Sequence, residues 1–152
     1  MNINGHKIEK RLSELEMATF ERIGIRDDFD PVIRGFSNDS KKIKADFIFF
    51  AVKGSFNHGA TYVSEAIGRG ATLVVTDNVG VKIMRKSKIE VPTLLVENPR
   101  KKLAIFSARW FDRQPRDQIA VTGTNGKTSV CHFVRQIWEE LDIKAANIGT
   151  LG

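Results

Sequence analysis

Cysteine is almost missing from this chain: Cys131 is the single thiol in 152 residues, so no disulfide can form within it and a cysteine-built metal cluster is excluded. Its place just after a glycine-rich loop could lower a thiol pKa, yet a small packing side chain is the simpler role. No run is long and apolar enough to span a bilayer. Residues 1–5 lack the basic-then-apolar order of a secretory signal, which makes the cytoplasm the expected compartment. Of the 152 residues, ordinarily one domain, 41% are apolar, enough to build a core. The formal charge of +6 suits a polyphosphate ligand as well as nucleic acid, and decides little by itself.

What the chain does have is Gln118-Ile-Ala-Val-Thr-Gly-Thr-Asn-Gly-Lys-Thr-Ser129. Ile119 to Val121 read as a buried strand, Gly123 and Gly126 permit backbone angles closed to other residues, and helical periodicity begins at Thr128. In such a loop successive backbone N–H groups converge on an anion and the helix N-terminus adds partial positive charge. Lys127 then reaches the outer phosphates, and the Thr128 hydroxyl falls beside Mg²⁺. The general pattern Gly-x-x-x-x-Gly-Lys wants a glycine where this chain has Val121, and fails at that position. A solvated glycine-rich turn is the plainer alternative; the strand and helix patterns on either side argue against it.

In chain order, Ile8, Leu12 and Leu15 predict an amphipathic helix over 6–17, and 23–35 reads as an irregular connection with one short strand. A polar turn around Asn38-Asp39-Ser40 leads into the apolar run Phe47 to Val52, a buried strand. Lys53 to Gly59 form a second polar loop, after which Tyr62, Val63, Ala66 and Ile67 mark a helical face closed by Gly70. Further strands are expected at 72–76 and 93–96. Between them, 77–90 is basic and weakly patterned; Lys82, Arg85, Lys86 and Lys88 have no interleaved aromatic side chains and match no nucleic-acid motif. Asn98 can cap a helix begun by Pro99 and lined by Leu103, Phe106 and Trp110. A boundary falls at 114–117. Beyond it, Val130, Phe133, Val134, Ile137 and Leu141 stripe a helix, and 144–148 reads as the second strand of a βαβ unit.

Thr122-Gly-Thr-Asn-Gly-Lys-Thr-Ser129 resembles the ATP loop of the Mur ligases and the related folylpolyglutamate synthetases. Asp39-Ser-Lys, Asp46-Phe-Ile-Phe, Gly54 and Gly70-Ala71 resemble the amino-terminal pattern of those Mur ligases that extend the peptidoglycan stem, with Lys41 standing where arginine is usual. Asn98-Pro-Arg and Ile148-Gly-Thr-Leu-Gly favour the ligases that add the third residue.

The resemblance implies an α/β fold: a small amino-terminal α/β domain over 1–115 that binds the UDP-sugar, then the first βαβ unit, carrying the phosphate loop, of a truncated ATP-binding domain over 116–152. It implies an amino-terminal fragment, inactive alone, of an ATP- and Mg²⁺-dependent ligase. That enzyme would join meso-diaminopimelate or L-lysine to UDP-N-acetylmuramoyl-L-alanyl-D-glutamate through an acyl phosphate. By carry-over the catalytic residue is Lys127, the ATP site is Gly123, Thr124, Asn125, Gly126, Lys127, Thr128 and Ser129, and Thr128 is the metal ligand. Asn38, Ser40, Ser55, Phe56 and Asn57 would hold the uridine diphosphate, with Phe56 as a stacking face. On residues alone, Asn38 to Ser40 equally suit an Asx-type turn, and His58 reads as a solvated loop histidine. A monomer without nucleic-acid or membrane partners is expected. A dipeptide-adding or folate-directed ligase is the second reading, and a basic nucleic-acid-binding module the last.

Overall fold

The computed structural model describes residues 9–15, 21–112 and 115–149. Two compact units divide the chain, Met1–Gln114 and Pro115–Gly152.

The first unit is built on a five-stranded sheet in the order β2-β7-β6-β5-β4. Its strands are β2 (Glu21–Ile23), β4 (Gly35–Ser37), β5 (Phe47–Phe50), β6 (Ala71–Thr76) and β7 (Thr93–Leu95). Strands β4 to β7 run parallel, and β2 closes one edge antiparallel to β7. A small antiparallel pair joins β1 (Lys10–Arg11) to β3 (Val32–Ile33).

Both faces of the sheet are covered, which is why its strands read as continuous apolar runs. Helices α1 (Val63–Gly68) and α2 (Asn78–Lys86) contribute Val63, Ala66 and Met84 to a core with Phe49, Ala51 and Val74. On the other face, Phe106 and Trp110 of α3 (Pro99–Phe111) pack with Ile48, Phe50, Leu73, Val75 and Leu94. Phe36 meets Phe106 edge to face with centroids 4.8 Å apart. Alternation along β5 sends Ile48 and Phe50 to one core and Phe49 and Ala51 to the other, as a doubly covered strand requires.

Local chemistry accounts for the ends of these elements. Asn98 Oδ1 accepts the Lys101 N–H at 2.9 Å and Pro99 occupies the first turn of α3. Asp77 caps α2 through Gly80 N–H, an element for which 77–90 gave little signal. Gly70 adopts φ +103° after α1, with the backbone of Ala45 so close that a Cβ would lie 2.8 Å from its Cα.

Two expectations fail. The amphipathic helix over 6–17 is, within its described part, the strand β1 followed by a single 3-10 turn, Leu12–Leu15. Leu12 and Leu15 are buried as the pattern demands, but the backbone is held by long-range partners: Leu12 N–H donates to Pro31 O and Ser13 N–H to Asp30 Oδ1. In the second unit the helix forms as α4 (Lys127–Glu140), whereas neither 119–121 nor the described 144–148 is a strand. A strand exists only through its neighbour, and a two-stranded parallel pair has little independent stability. The stripe of α4 is accordingly exposed, Phe133 at 59% and Ile137 at 58%.

Candidate functional site

Because β4 to β7 are parallel, the segments that leave them share one edge of the sheet, the carboxyl edge at which open α/β sheets bind ligands. The expected uridine-side residues lie there in two loops, one after β4 and one after β5.

After β4, Asp39 Oδ1 accepts the Lys41 N–H at 3.0 Å, so the Asx-type turn is real and starts a 3-10 turn at Ser40–Lys42. Asn38 is exposed, whereas Ser40 is buried with only 7% of its surface accessible. The Ser40 hydroxyl donates to Glu65 Oε2 at 2.7 Å, and Arg69 Nε donates to Glu65 Oε1 at 3.2 Å. The Ser40 hydrogen bond, followed by Arg69, holds the Glu65 carboxyl below its ordinary range against the desolvation that would raise it.

After β5, Lys53 and His58 pair across an antiparallel bridge, and Gly54 N–H donates to Asn57 O at 2.9 Å. Ser55, Phe56 and Asn57 form the exposed tip, with Phe56 99% accessible; Asn57 Nδ2 donates to Tyr62 Oη at 3.3 Å. Arg100 of α3 donates to Lys53 O at 3.0 Å and steadies the loop from the other side.

His58 is not a solvated loop residue. Its side chain is only 7% accessible, with Nδ1 3.0 Å from the Ala60 N–H donor and Nε2 3.1 Å from Asp77 Oδ1. The sequence held a partial signal: Asp77 directly follows an apolar strand and stands three residues before Gly80, as a helix cap does. Nothing local announced Glu65 as the Ser40 partner, 25 residues away.

In the second unit, Gly126 adopts φ +76° and opens α4 with no side chain capping the first turn, so its first backbone N–H groups have no side-chain acceptor. Gly123 lies at φ +149°. Lys127 folds back over the loop, donating to the carbonyl oxygens of Gly123 and, at 3.2 Å, of Thr124. Thr128, Ser129 and His132 line an open groove of about 690 Å³ with 145–147 opposite. Uncapped N–H groups, one ammonium and two hydroxyls form a donor set that fits polyphosphate. Among the described residues no cluster of His, Cys, Asp and Glu could hold a metal. A second groove, about 510 Å³ and lined by Val81, Met84, Ile89 and Pro92, contains none of the expected residues.

Residues 121–152 match the family described as the Mur ligase middle domain. The chain is 46% identical over 123 residues to the UDP-N-acetylmuramoyl-L-alanyl-D-glutamate--2,6-diaminopimelate ligase of Mesorhizobium japonicum, covering 81% of this chain and 25% of that protein. The Brucella melitensis protein of the same name is 39% identical over 137 residues, covering 90% of this chain and 27% of its own length. The chain thus spans about a quarter of the length of the curated relatives it matches. In fold it is similar to the solved structure of the UDP-N-acetylmuramoylalanyl-D-glutamyl-2,6-diaminopimelate--D-alanyl-D-alanyl ligase from Acinetobacter baumannii. That likeness has a TM-score of 0.59 at 21% identity and covers 88% of this chain and 29% of the other.

Proposed function

Because this chain is a sequence relative of the Mur ligases, we propose that it carries the uridine-side loops and the ATP loop of a ligase. That ligase adds a diamino acid to UDP-N-acetylmuramoyl-L-alanyl-D-glutamate in the cytoplasm. The observation that carries the reading is the turn at Gly123–Lys127: a left-handed glycine opening an uncapped helix, with a lysine ammonium folded across it. Such a turn binds phosphate through N–H groups already pointed at it, and Lys127 neutralises charge as a phosphoryl group moves. ATP bound there would supply that phosphoryl group, to be received by the D-glutamyl carboxylate before the amine attacks. Thr128 would offer its hydroxyl to Mg²⁺, and Ser129 a further donor to phosphate.

On the uridine side, an ionised Glu65 only accepts hydrogen bonds, so the Ser40 proton is committed to it and Ser40 meets a ligand with its lone pairs. Asn38, Ser55 and Asn57 supply small polar groups, and Phe56 a fully exposed face for the base. The names of the relatives, which print 2,6-diaminopimelate, favour a diaminopimelate over L-lysine.

The test is phosphate release by the full-length protein from Mg-ATP and the UDP-N-acetylmuramoyl dipeptide. Release dependent on meso-diaminopimelate is expected. Release dependent on D-alanyl-D-alanine or on a folate acceptor would move the chain to another ligase of the same kind.

A further inference from the structure

We propose that His58, through Asp77, is a positioning residue for the ligand loop, holding the tip Ser55–Asn57 in place from its base. The ligand side of this rests on the reading of that loop as part of the uridine-nucleotide site; the positioning itself rests on geometry alone.

Both ring nitrogens of His58 are engaged, and in opposite senses. Ala60 N–H can only donate, so Nδ1, 3.0 Å away, presents its lone pair. The Asp77 carboxylate only accepts, so Nε2, 3.1 Å away, carries the proton. One neutral tautomer satisfies both partners, and an imidazolium would lose the Ala60 bond. A carboxylate at this position could cap Ala60 but would face Asp77 with like charge; an amide could cap Ala60 but is too short to reach Asp77 as well. Imidazole accepts at one end and donates at the other across this span.

The surroundings hold the ring in that pose. A Cβ on Gly80 would stand 2.9 Å from His58 Cε1, so the absence of a side chain there makes room for the imidazole. Asp77 Oδ1 also accepts from Gly80 N–H at 2.9 Å, which ties His58 to the first turn of α2. A Cβ on Gly59 would meet Val52 N at 2.8 Å, so the chain just past His58 lies directly on the end of β5. Lys53 stands opposite His58 in a bridge closed by Gly59 N–H to Val52 O and Gly54 N–H to Asn57 O, and its carbonyl is also held by Arg100. The exposed tip between them has no buried anchor among its own side chains. Its order therefore depends on its base, and a base already fixed lowers the ordering cost of binding.

The experiment uses this chain and His58→Asn, which keeps an acceptor for Ala60 N–H and gives up the reach to Asp77. Ring ¹⁵N shifts of the parent should show Nε2 protonated and Nδ1 bare. In His58→Asn, amide exchange should quicken about tenfold at Gly54 and Gly59, whose N–H groups close the base of the tip on Asn57 O and Val52 O, and the Kd for UDP should rise about tenfold, as for one hydrogen bond to a charged partner. A proton on Nδ1 in the parent, or unchanged exchange at Gly54 and Gly59 in the variant, would overturn the proposal. So would equal UDP affinity of parent and variant. A parent that binds no UDP yet shows the expected tautomer and exchange would remove the uridine reading and leave the positioning role standing.

Discussion

The Ser40 hydroxyl and the Glu65 carboxylate, 2.7 Å apart, fasten the turn after β4 to helix α1. In the proposed function the bond would serve fold and site together, because the oxygen that donates to Glu65 keeps its lone pairs for a ligand. Ser40→Ala should therefore weaken UDP binding by about 2- to 10-fold, the worth of one hydrogen bond at about 0.5–1.5 kcal/mol. Mg-ATP affinity should not change. Calorimetric titration with both nucleotides checks this; equal losses would make the turn purely structural.

The same pair predicts an acid dependence. Glu65 is depressed below its ordinary value of 4.5 by Ser40 and Arg69. A depressed carboxyl contributes stability that is fully present above its unfolded pKa and disappears as pH falls through the folded value. Ser40→Ala raises the folded value back toward the ordinary one. The parent should thus melt higher than Ser40→Ala above pH 4.5, and the gap should narrow as pH falls below it. Asp30, also depressed, chiefly by the Ser13 N–H, titrates alike in both and drops out of the difference. Thermal melts across roughly pH 3 to 7 read this directly. A gap that widens in acid would contradict it.

Gly80→Ala sets two effects against each other. Alanine inside a helix gains about 0.5–1 kcal/mol over glycine. Its Cβ, however, would lie 2.0 Å from Thr76 Oγ1, and Thr76 is fully buried with that hydroxyl donating to Ala51 O. Overpacking of this kind costs about 1–3 kcal/mol, so the clash wins and the melting temperature should fall. A stabilised variant would mean that α2 shifts freely, which its cap on Asp77 argues against.

Lys127→Ala in the full-length protein should cut turnover at least a hundredfold, from a loss of about 3 kcal/mol or more of transition-state stabilisation. Lys127 is exposed and bonds only its own loop, so the melting temperature should hold. Steady-state kinetics and a thermal melt on the same sample decide it; turnover within a few-fold of the parent would remove Lys127 from the reaction.

Which features were readable from residue order follows from where their determinants lie. Helix α3 was legible because cap, proline and apolar face are all local: Asn98, Pro99, Phe106 and Trp110. Strands β5 and β6 were legible because both of their faces are buried. Helix α2 was missed because its buried face holds just Gly80, Val81 and Met84 among basic residues. Leu12 and Leu15, three apart, suit an α-helix and a 3-10 turn equally, and the choice is made by Asp30 and Pro31 from far along the chain. At the site, the loops could be named from sequence, whereas His58–Asp77 and Ser40–Glu65 join residues 19 and 25 positions apart and appear only when β5, β6 and α1 are assembled.

The most direct test of the account is a ¹⁵N amide titration of this chain with UDP, followed by Mg-ATP. Saturable shifts are expected at Ser40 and Ser55–Asn57 with UDP, and separate shifts at Gly123–Ser129 with Mg-ATP. UDP shifts confined to the basic face of α2 at Lys82, Arg85 and Lys86, vanishing steeply with salt, would contradict it and favour a nucleic-acid-binding surface.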